Sequence, residues 1–273
     1  MILGYFHKGS GLGNQLHRYI ATRVLAADKG YEFGMINPQE FKGQSFMNIF
    51  KGTQLPKLGV THFDISGRTL LPTFPQTEFG TYLEANFKDE FDNTIRYYDP
   101  EFNFIEDNTI IDGEFQDEKY FGHRFYDIKD WLEVELLEMP DDLCIVGFRG
   151  GEFALYPDLF LTPNYWVDAM NEMLKINPNM KFEVHTDDEK LAKEFFQDFK
   201  IVHDIGINWR SMRYAKYAII ANSSFYILPR LLAHQGFKNE WFDPITIAPR
   251  YWARHNTKIW STPQNYYKKF TYI

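Results

Sequence analysis

The chain holds one cysteine, Cys144, among 273 residues. No intrachain disulfide can form and no thiolate cluster can hold a metal, which excludes disulfide-stapled secreted scaffolds and cysteine-rich zinc modules. Cys144 itself sits in the apolar run Leu143-Cys144-Ile145-Val146 and reads as a buried strand residue. Positive charge is also scarce. Twenty-nine basic residues against 37 acidic ones leave a formal charge of −8. Such a chain repels nucleic-acid phosphates, and no basic block occurs beyond Lys268-Lys269, so nucleic acid is not an expected partner. Long apolar runs are missing too. None approaches the ~20 residues that span a bilayer, and the opening Met1-Ile2-Leu3-Gly4-Tyr5-Phe6 is too short for a signal peptide. The expected place is therefore the cytoplasm, with peripheral association at a cytoplasmic membrane face still open. No cluster of ligating residues implies a metal, and none is expected.

Apolar and aromatic residues are plentiful, at 44% and 18%. That suffices for one large core or two modest ones. Aromatic ring faces also suit pyranose faces, although filling the core accounts for most of them. Along the chain, strand and helix patterns alternate. Residues 1–6 read as a strand, 7–15 as a glycine-rich loop, and the next stretch as a helix with Leu16, Ile20, Val24 and Ala27 on one face, ending at Gly30. Strands are expected at 31–36 and 108–112, loops and short elements over much of 37–107, and mostly helix over 117–138. The second half is clearer. Strands are expected at 143–148, 181–185, 201–203 and 217–221. Helices are expected from Thr162-Pro163, over 188–199, over 209–216, and from Ser223 to about His234. This alternation predicts an α/β fold with parallel sheets, which bind ligands at the carboxyl ends of their strands. Met139-Pro140-Asp141-Asp142 is the expected boundary between a domain of residues 1–139 and one of residues 140–273.

Four segments carry candidate chemistry. Gly9-Ser10-Gly11-Leu12-Gly13-Asn14-Gln15 lies between a strand and a helix, where glycines permit close backbone approach and free N–H groups meet anions. Asn14 and Gln15 add side-chain donors. The loop is neither the dinucleotide fingerprint nor a P-loop, and a tight structural turn explains it equally well. Arg149 follows strand 143–148, in place to grip a phosphate by two donors, with Gly150 and Gly151 beside it. The bland alternative is a surface salt bridge with Glu152. Asp187 and Asp188 follow the next strand. Capping accounts for one of them, and the other is left for a base edge or a ribose. Asn222-Ser223-Ser224-Phe225 places hydroxyls at a helix start, suited to a diphosphate, though a plain cap needs only one serine.

In order and over nearly the whole chain, these segments resemble the α-1,2-fucosyltransferase family. Gly11-Leu12-Gly13-Asn14-Gln15-Leu16 is similar to its N-terminal Gly-Leu-Gly-Asn-Gln signature. The stretch Asp112 to Phe121 is similar to its Gly-Tyr-Phe-Gln-Ser-Glu-Lys-Tyr-Phe segment. Asn222-Ser223-Ser224-Phe225 and Ala248-Pro249-Arg250-Tyr251-Trp252 resemble its two C-terminal motifs. The central His-x-Arg-Arg-Gly-Asp motif departs. Arg149 is kept, while Gly147, Gly150 and Glu152 replace the histidine, the second arginine and the aspartate. The resemblance implies a GT-B-like architecture of two Rossmann-like domains with the nucleotide sugar in the cleft between them. The N-terminal domain would face the acceptor and the C-terminal one would bind the donor. It implies inverting transfer of fucose from GDP-fucose to a glycan hydroxyl without a metal or other cofactor. Arg149 would stabilise the departing GDP. Ser223, Ser224 and Phe225 would hold the diphosphate and nucleotide, and Asp187 or Asp188 the nucleoside. Gly11, Gly13 and Asn14 would approach the donor, and Glu152 would act as base. Two alternatives remain: transfer from a different nucleotide sugar, and a non-catalytic glycan- or nucleotide-binding protein.

Overall fold

A computed structural model of the chain describes residues 1–43, 79–88, 94–234, 243–252 and 266–273. Much of the 37–107 stretch, for which loops and short elements are expected, therefore lies outside the described residues. The chain divides into two compact units, Met1–Val134 and Glu135–Ile273. The break falls a few residues ahead of Met139, at the end of the first unit's packed Val134 rather than at the Pro-Asp-Asp turn.

Both units are Rossmann-like α/β layers. Unit 1 opens with a βαβ turn: β1 (Ile2–Tyr5), α1 (Leu12–Lys29) and β2 (Phe33–Ile36), with Ile2 paired to Phe33 in parallel register. β1 is covered on both faces, which is why it is a continuous apolar run. Ile2, Leu3 and Phe6 are fully buried. α1 buries Leu16, Ile20 and Val24 as its spacing predicts, and ends where Gly30, in the left-handed region at φ 70°, bonds its N–H to Ala26 O. β3 (Gly80–Leu83) and β6 (Thr109–Asp112) complete a parallel sheet in the order β2-β1-β6-β3. Between them β4 (Asn86–Lys88) and β5 (Thr94–Arg96) form an antiparallel pair. The expected long helix over 117–138 is only α2 (Phe125–Trp131), preceded by short 3-10 turns at Glu118–Tyr120 and Gly122–Arg124. Phe121 stops the helical run between those turns, at φ −143° and ψ −11°. Its ring is fully buried against His17 and Phe125, so packing overrides the local pattern.

Unit 2 alternates throughout: β7 (Leu143–Phe148), α3 (Pro163–Ile176), β8 (Lys181–Thr186), α4 (Glu189–Phe195), β9 (Lys200–Val202), α5 (Ile205–Tyr214), β10 (Tyr217–Ile220), α6 (Ser224–His234), β11 (Ile245–Ala248) and β12 (Thr271–Tyr272). The spatial order is β9-β8-β7-β10-β11-β12, every pair parallel. Numbered along this unit, that is 3-2-1-4-5-6, the dinucleotide-fold order. Cys144 is buried in β7, as read from its apolar neighbours. Arg230, also fully buried, donates to Thr246 Oγ1 and to the carbonyls of Met212, Ala215 and Ile245, which ties α6 to the end of α5 and to β11.

Two helix boundaries and one cap differ from expectation. α4 stops at Phe195 because Phe196 leaves the helix to pack its ring on Phe148 and Trp166, at 5.3 and 5.8 Å between centroids. α5 starts at Ile205 because Asp204 caps it, accepting from Ile207 N at 2.7 Å. At the start of α3, Thr162 occupies the cap position without a side-chain cap bond, and Pro163 at the first helical position sets the turn.

Candidate functional site

Strand order fixes where unit 2 can bind a ligand. The chain runs from β7 outward to β8 and β9, then returns to the other side of β7 for β10. Loops leaving β7 and β10 therefore diverge, and open α/β sheets bind their ligands outside the carboxyl ends of such a strand pair. The loop after β7 carries Arg149 and the loop after β10 carries Ser223. Asp187, after β8, lies one strand away.

Arg149 is held by two carboxylates. Nη1 pairs with Asp187 Oδ2, and Nη2 with Glu152 Oε1 at 3.0 Å. Its guanidinium also stands over the Phe153 ring, 5.1 Å from the centroid. Asp187 uses its other oxygen to accept from Gly150 N at 2.9 Å, so one side chain fixes both the arginine and the turn that follows it. Gly151 completes that turn at φ +43°, and a Cβ there would stand 2.5 Å from Asp187 Oδ2. No other residue type fits without moving the carboxylate. Glu152 is 62% exposed, and its contact with Arg149 is the salt bridge foreseen as the bland alternative.

The two aspartates have different tasks. Asp188 caps α4, accepting from Leu191 N at 3.0 Å. Asp187 takes no part in that cap. Both line an open recess of about 490 Å³ with Glu189, Lys190, Lys193 and His203, beyond the ends of β8 and β9. His185, just before them, is fully buried with its nitrogens against Asn208 Oδ1 and Glu183 Oε1, both at 2.9 Å. His185 and the Lys200 ammonium hold the Glu183 carboxyl down, to about 2. In the Asn222-Ser223-Ser224-Phe225 segment, Asn222 Nδ2 donates to Leu159 O at 2.9 Å and to Trp252 O, drawing three loops together. Ser223 is buried at the start of α6, its carbonyl accepting from Tyr226 N and Ile227 N. Ser224 is the first residue of that helix, and the Phe225 ring meets Trp209 edge-on at 5.7 Å.

Gly147, one residue before the end of β7, has no room for a side chain. A Cβ there would stand 2.7 Å from Met212 Cε and 3.0 Å from the Tyr226 ring. Tyr226 fills that space from α6, and its hydroxyl lies 3.1 Å from Phe148 O and 3.0 Å from His185 O. It thereby bridges the ends of β7 and β8. Burial pushes its phenol well above the usual range.

In unit 1, β1 and β6 lie side by side at the middle of the sheet. Gly11 is the cap residue of α1 and makes no side-chain bond. Gly13 O accepts from His17 Nδ1 at 2.9 Å, and Asn14 Oδ1 accepts from Gln116 Nε2 at 3.0 Å. Gln15 corrects an expectation. Its amide is buried and bonds Glu40 O and Lys42 N, so it anchors the 40–42 loop rather than offering a donor to a ligand. Beside these residues, four polar side chains that sequence reasoning did not single out converge. His7 Nε2 lies 2.7 Å from Asp112 Oδ1, Arg18 Nη1 3.2 Å from the same oxygen, and Arg18 Nη2 2.7 Å from Glu114 Oε1. The available signal was a polar residue at or just beyond the end of each of two apolar strands.

Among the described residues, no group of three histidine, cysteine or carboxylate side chains gathers to hold a metal, and no helix is long and apolar enough to cross a membrane.

No protein-family model and no curated protein matches the sequence. Among solved structures, the chain is similar to E. coli heptosyltransferase WaaC, with ADP-2-deoxy-2-fluoro heptose and with ADP. Identity is 10% and the TM-score 0.47 in both cases, over 100% of this chain and 93% and 92% of theirs.

Proposed function

We propose that the chain is a glycosyltransferase that moves a sugar from a nucleotide donor to a glycan hydroxyl with inversion and without a metal, GDP-fucose being the donor. The carrying observation is Arg149 at the switch point of a 3-2-1-4-5-6 parallel sheet, across from the hydroxyl-bearing start of α6. A diphosphate there meets the α6 N-terminus and Ser223 and Ser224 on one side and a guanidinium on the other. Leaving-group charge grows in the transition state, and Arg149 is the cation in position to offset it. Asp187 then has a second task. It presents Arg149 while the site is empty and competes with phosphate for the same donors. In sheets of this order an acidic residue accepts from a ribose hydroxyl, a part suited to Asp187 or Asp188 at the recess beyond β8. Phe225 supports the nucleotide side through Trp209. In this reading the C-terminal unit binds the donor. Gly11, Gly13 and Asn14, in the N-terminal unit, are assigned to the donor by the resembling motif. The fucose assignment rests on the quoted motifs alone.

Calorimetric titration with GDP, UDP, ADP and GDP-fucose tests the reading. GDP is expected to bind most tightly. Equal affinity for all three nucleotides removes the GDP-fucose assignment, and binding without turnover on galactosyl acceptors favours the non-catalytic alternative.

A further inference from the structure

Three segments of unit 2 that the proposed function uses, those of Arg149, Asp187 and Ser223, meet at one buried residue, Tyr226 of α6. Its ring lies against Gly147, where a Cβ would stand 3.0 Å from it. The phenol oxygen thereby sits between the ends of β7 and β8, 3.1 Å from Phe148 O and 3.0 Å from His185 O. One O–H is shared between the two carbonyls, a three-centre arrangement. Phe148 O belongs to the peptide that leads into Arg149. His185 O belongs to the peptide that leads into Thr186, the residue before Asp187. In the backbone, Tyr226 N donates to Ser223 O at 3.0 Å. The phenol keeps its proton and so remains a donor: burial above all, then the Asp187 carboxylate, hold that proton on, against a smaller pull from Arg149. Exposure separates the holder from the held. The Arg149 and Asp187 side chains are 24% and 30% exposed, whereas Tyr226 is 2% exposed, too enclosed to touch a solute.

From this geometry we infer that Tyr226 is a positioning residue for the donor site, setting the Arg149 loop against the Asp187 loop and so aiming the guanidinium at the diphosphate. The inference rests on the nucleotide-binding reading of unit 2 above. Strand ends are where a sheet opens most readily, and the phenol joins β7 to β8 at that place. Asp187 pairs with Arg149 and accepts from Gly150 N, so a shift of one strand end against the other is passed directly to the guanidinium. Tyr226 touches no reacting atom in this role and acts only through the two carbonyls.

Y226F deletes the hydroxyl and keeps the ring beside Gly147. The test is a double-mutant cycle of Y226F with R149A in the full chain. It is read by calorimetric GDP affinity and by kcat and KM for GDP-fucose on galactosyl acceptors, with circular dichroism as the folding control. Y226F is expected to weaken GDP binding about tenfold. It should lower kcat by about ten- to a hundredfold, more than it raises KM, because the aimed charge counts most in the transition state. In the R149A background the same change should alter GDP affinity by less than about twofold, since the group it aims is gone. Tyr226→4-aminophenylalanine returns a donor to the same place and should recover most of both losses. The binding arm decides the matter even in a chain without turnover. Equal losses from Y226F in both backgrounds, unchanged GDP affinity in Y226F, or a Y226F chain without the native dichroism spectrum each overturn the inference. Each assigns the hydroxyl to the scaffold alone and leaves the nucleotide-binding reading standing. A wild-type chain that binds none of GDP, UDP and ADP refutes that reading, and the positioning role with it.

Discussion

His17 makes unit 1 sensitive to mild acid, and the size of the effect follows from its surroundings. The ring lies on α1 and is fully buried, with Nδ1 against Gly13 O at 2.9 Å, Phe121 packed edge-on, and Nε2 without a partner among the described residues. Burial pushes its pKa from 6.5 down to about 4, only partly opposed by the Gly13 carbonyl and by Glu114. The folded unit thus binds fewer protons than the unfolded chain between those two values. By linkage its stability is flat above about pH 6.5 and falls as pH drops through the window toward 4. Between about pH 7.5 and pH 5 the loss is roughly 2 kcal/mol, close to a thirtyfold rise in opening. The perturbation that isolates it is H17Q, which has no titrating proton and shifts stability by an amount independent of pH. Hydrogen exchange in α1 peptides, corrected for intrinsic rates, reads unit 1 separately from His234 of unit 2, whose pKa burial, Arg230 and Lys269 also lower, to about 3. Wild type and H17Q should converge by about 2 kcal/mol on acidification. Parallel pH curves for the two would refute the assignment of the acid sensitivity to His17.

R149A should lower transfer by about two to three orders of magnitude and weaken GDP binding less, because the leaving charge is greatest in the transition state; R149K should recover only part. Near-normal turnover in R149A, with circular dichroism unchanged, would make the residue a surface ion-pair partner. Transfer should survive EDTA, and activity lost on chelation and restored by Mn²⁺ or Mg²⁺ would contradict the metal-free reading. G151A forces a non-glycine residue into the left-handed region and against Asp187, and should cost unit 2 roughly 1–2 kcal/mol in urea unfolding; an unchanged midpoint would mean the turn relaxes freely.

Local signals were readable and pairings were not. β1, β7 and β10 each announce themselves as short apolar runs and β8 as an alternating one, and the polar residues at their ends mark the ligand side. The capping argument separated the two aspartates correctly in kind: one carboxylate, Asp188, caps, and the other does not. Its actual partner, Arg149, is 38 positions away, and His7 and Asp112 are 105 apart, separations over which no periodicity carries information. The strand order that sets β7 beside β10 is likewise a tertiary fact. Misjudged helix ends had two origins. Asp204 is an ordinary capping residue that the pattern of α5 obscured, whereas Phe121 and Phe196 leave helical geometry because a core elsewhere takes their rings.

Gly147 constrains how this sequence can be altered. The space beside β7 is occupied by an aromatic ring, but the ring belongs to α6, and its hydroxyl joins the carbonyls that end β7 and β8. Positions 147 and 226 therefore form one unit of substitution. Writing histidine at 147 alone drives a side chain into Tyr226 and Met212, and trimming Tyr226 alone opens a void and frees two carbonyls. A side chain at 147 is accommodated only when Tyr226 shrinks as well, so substitution there meets a barrier unless both positions change together or Tyr226 changes first in a chain stable enough to tolerate the gap.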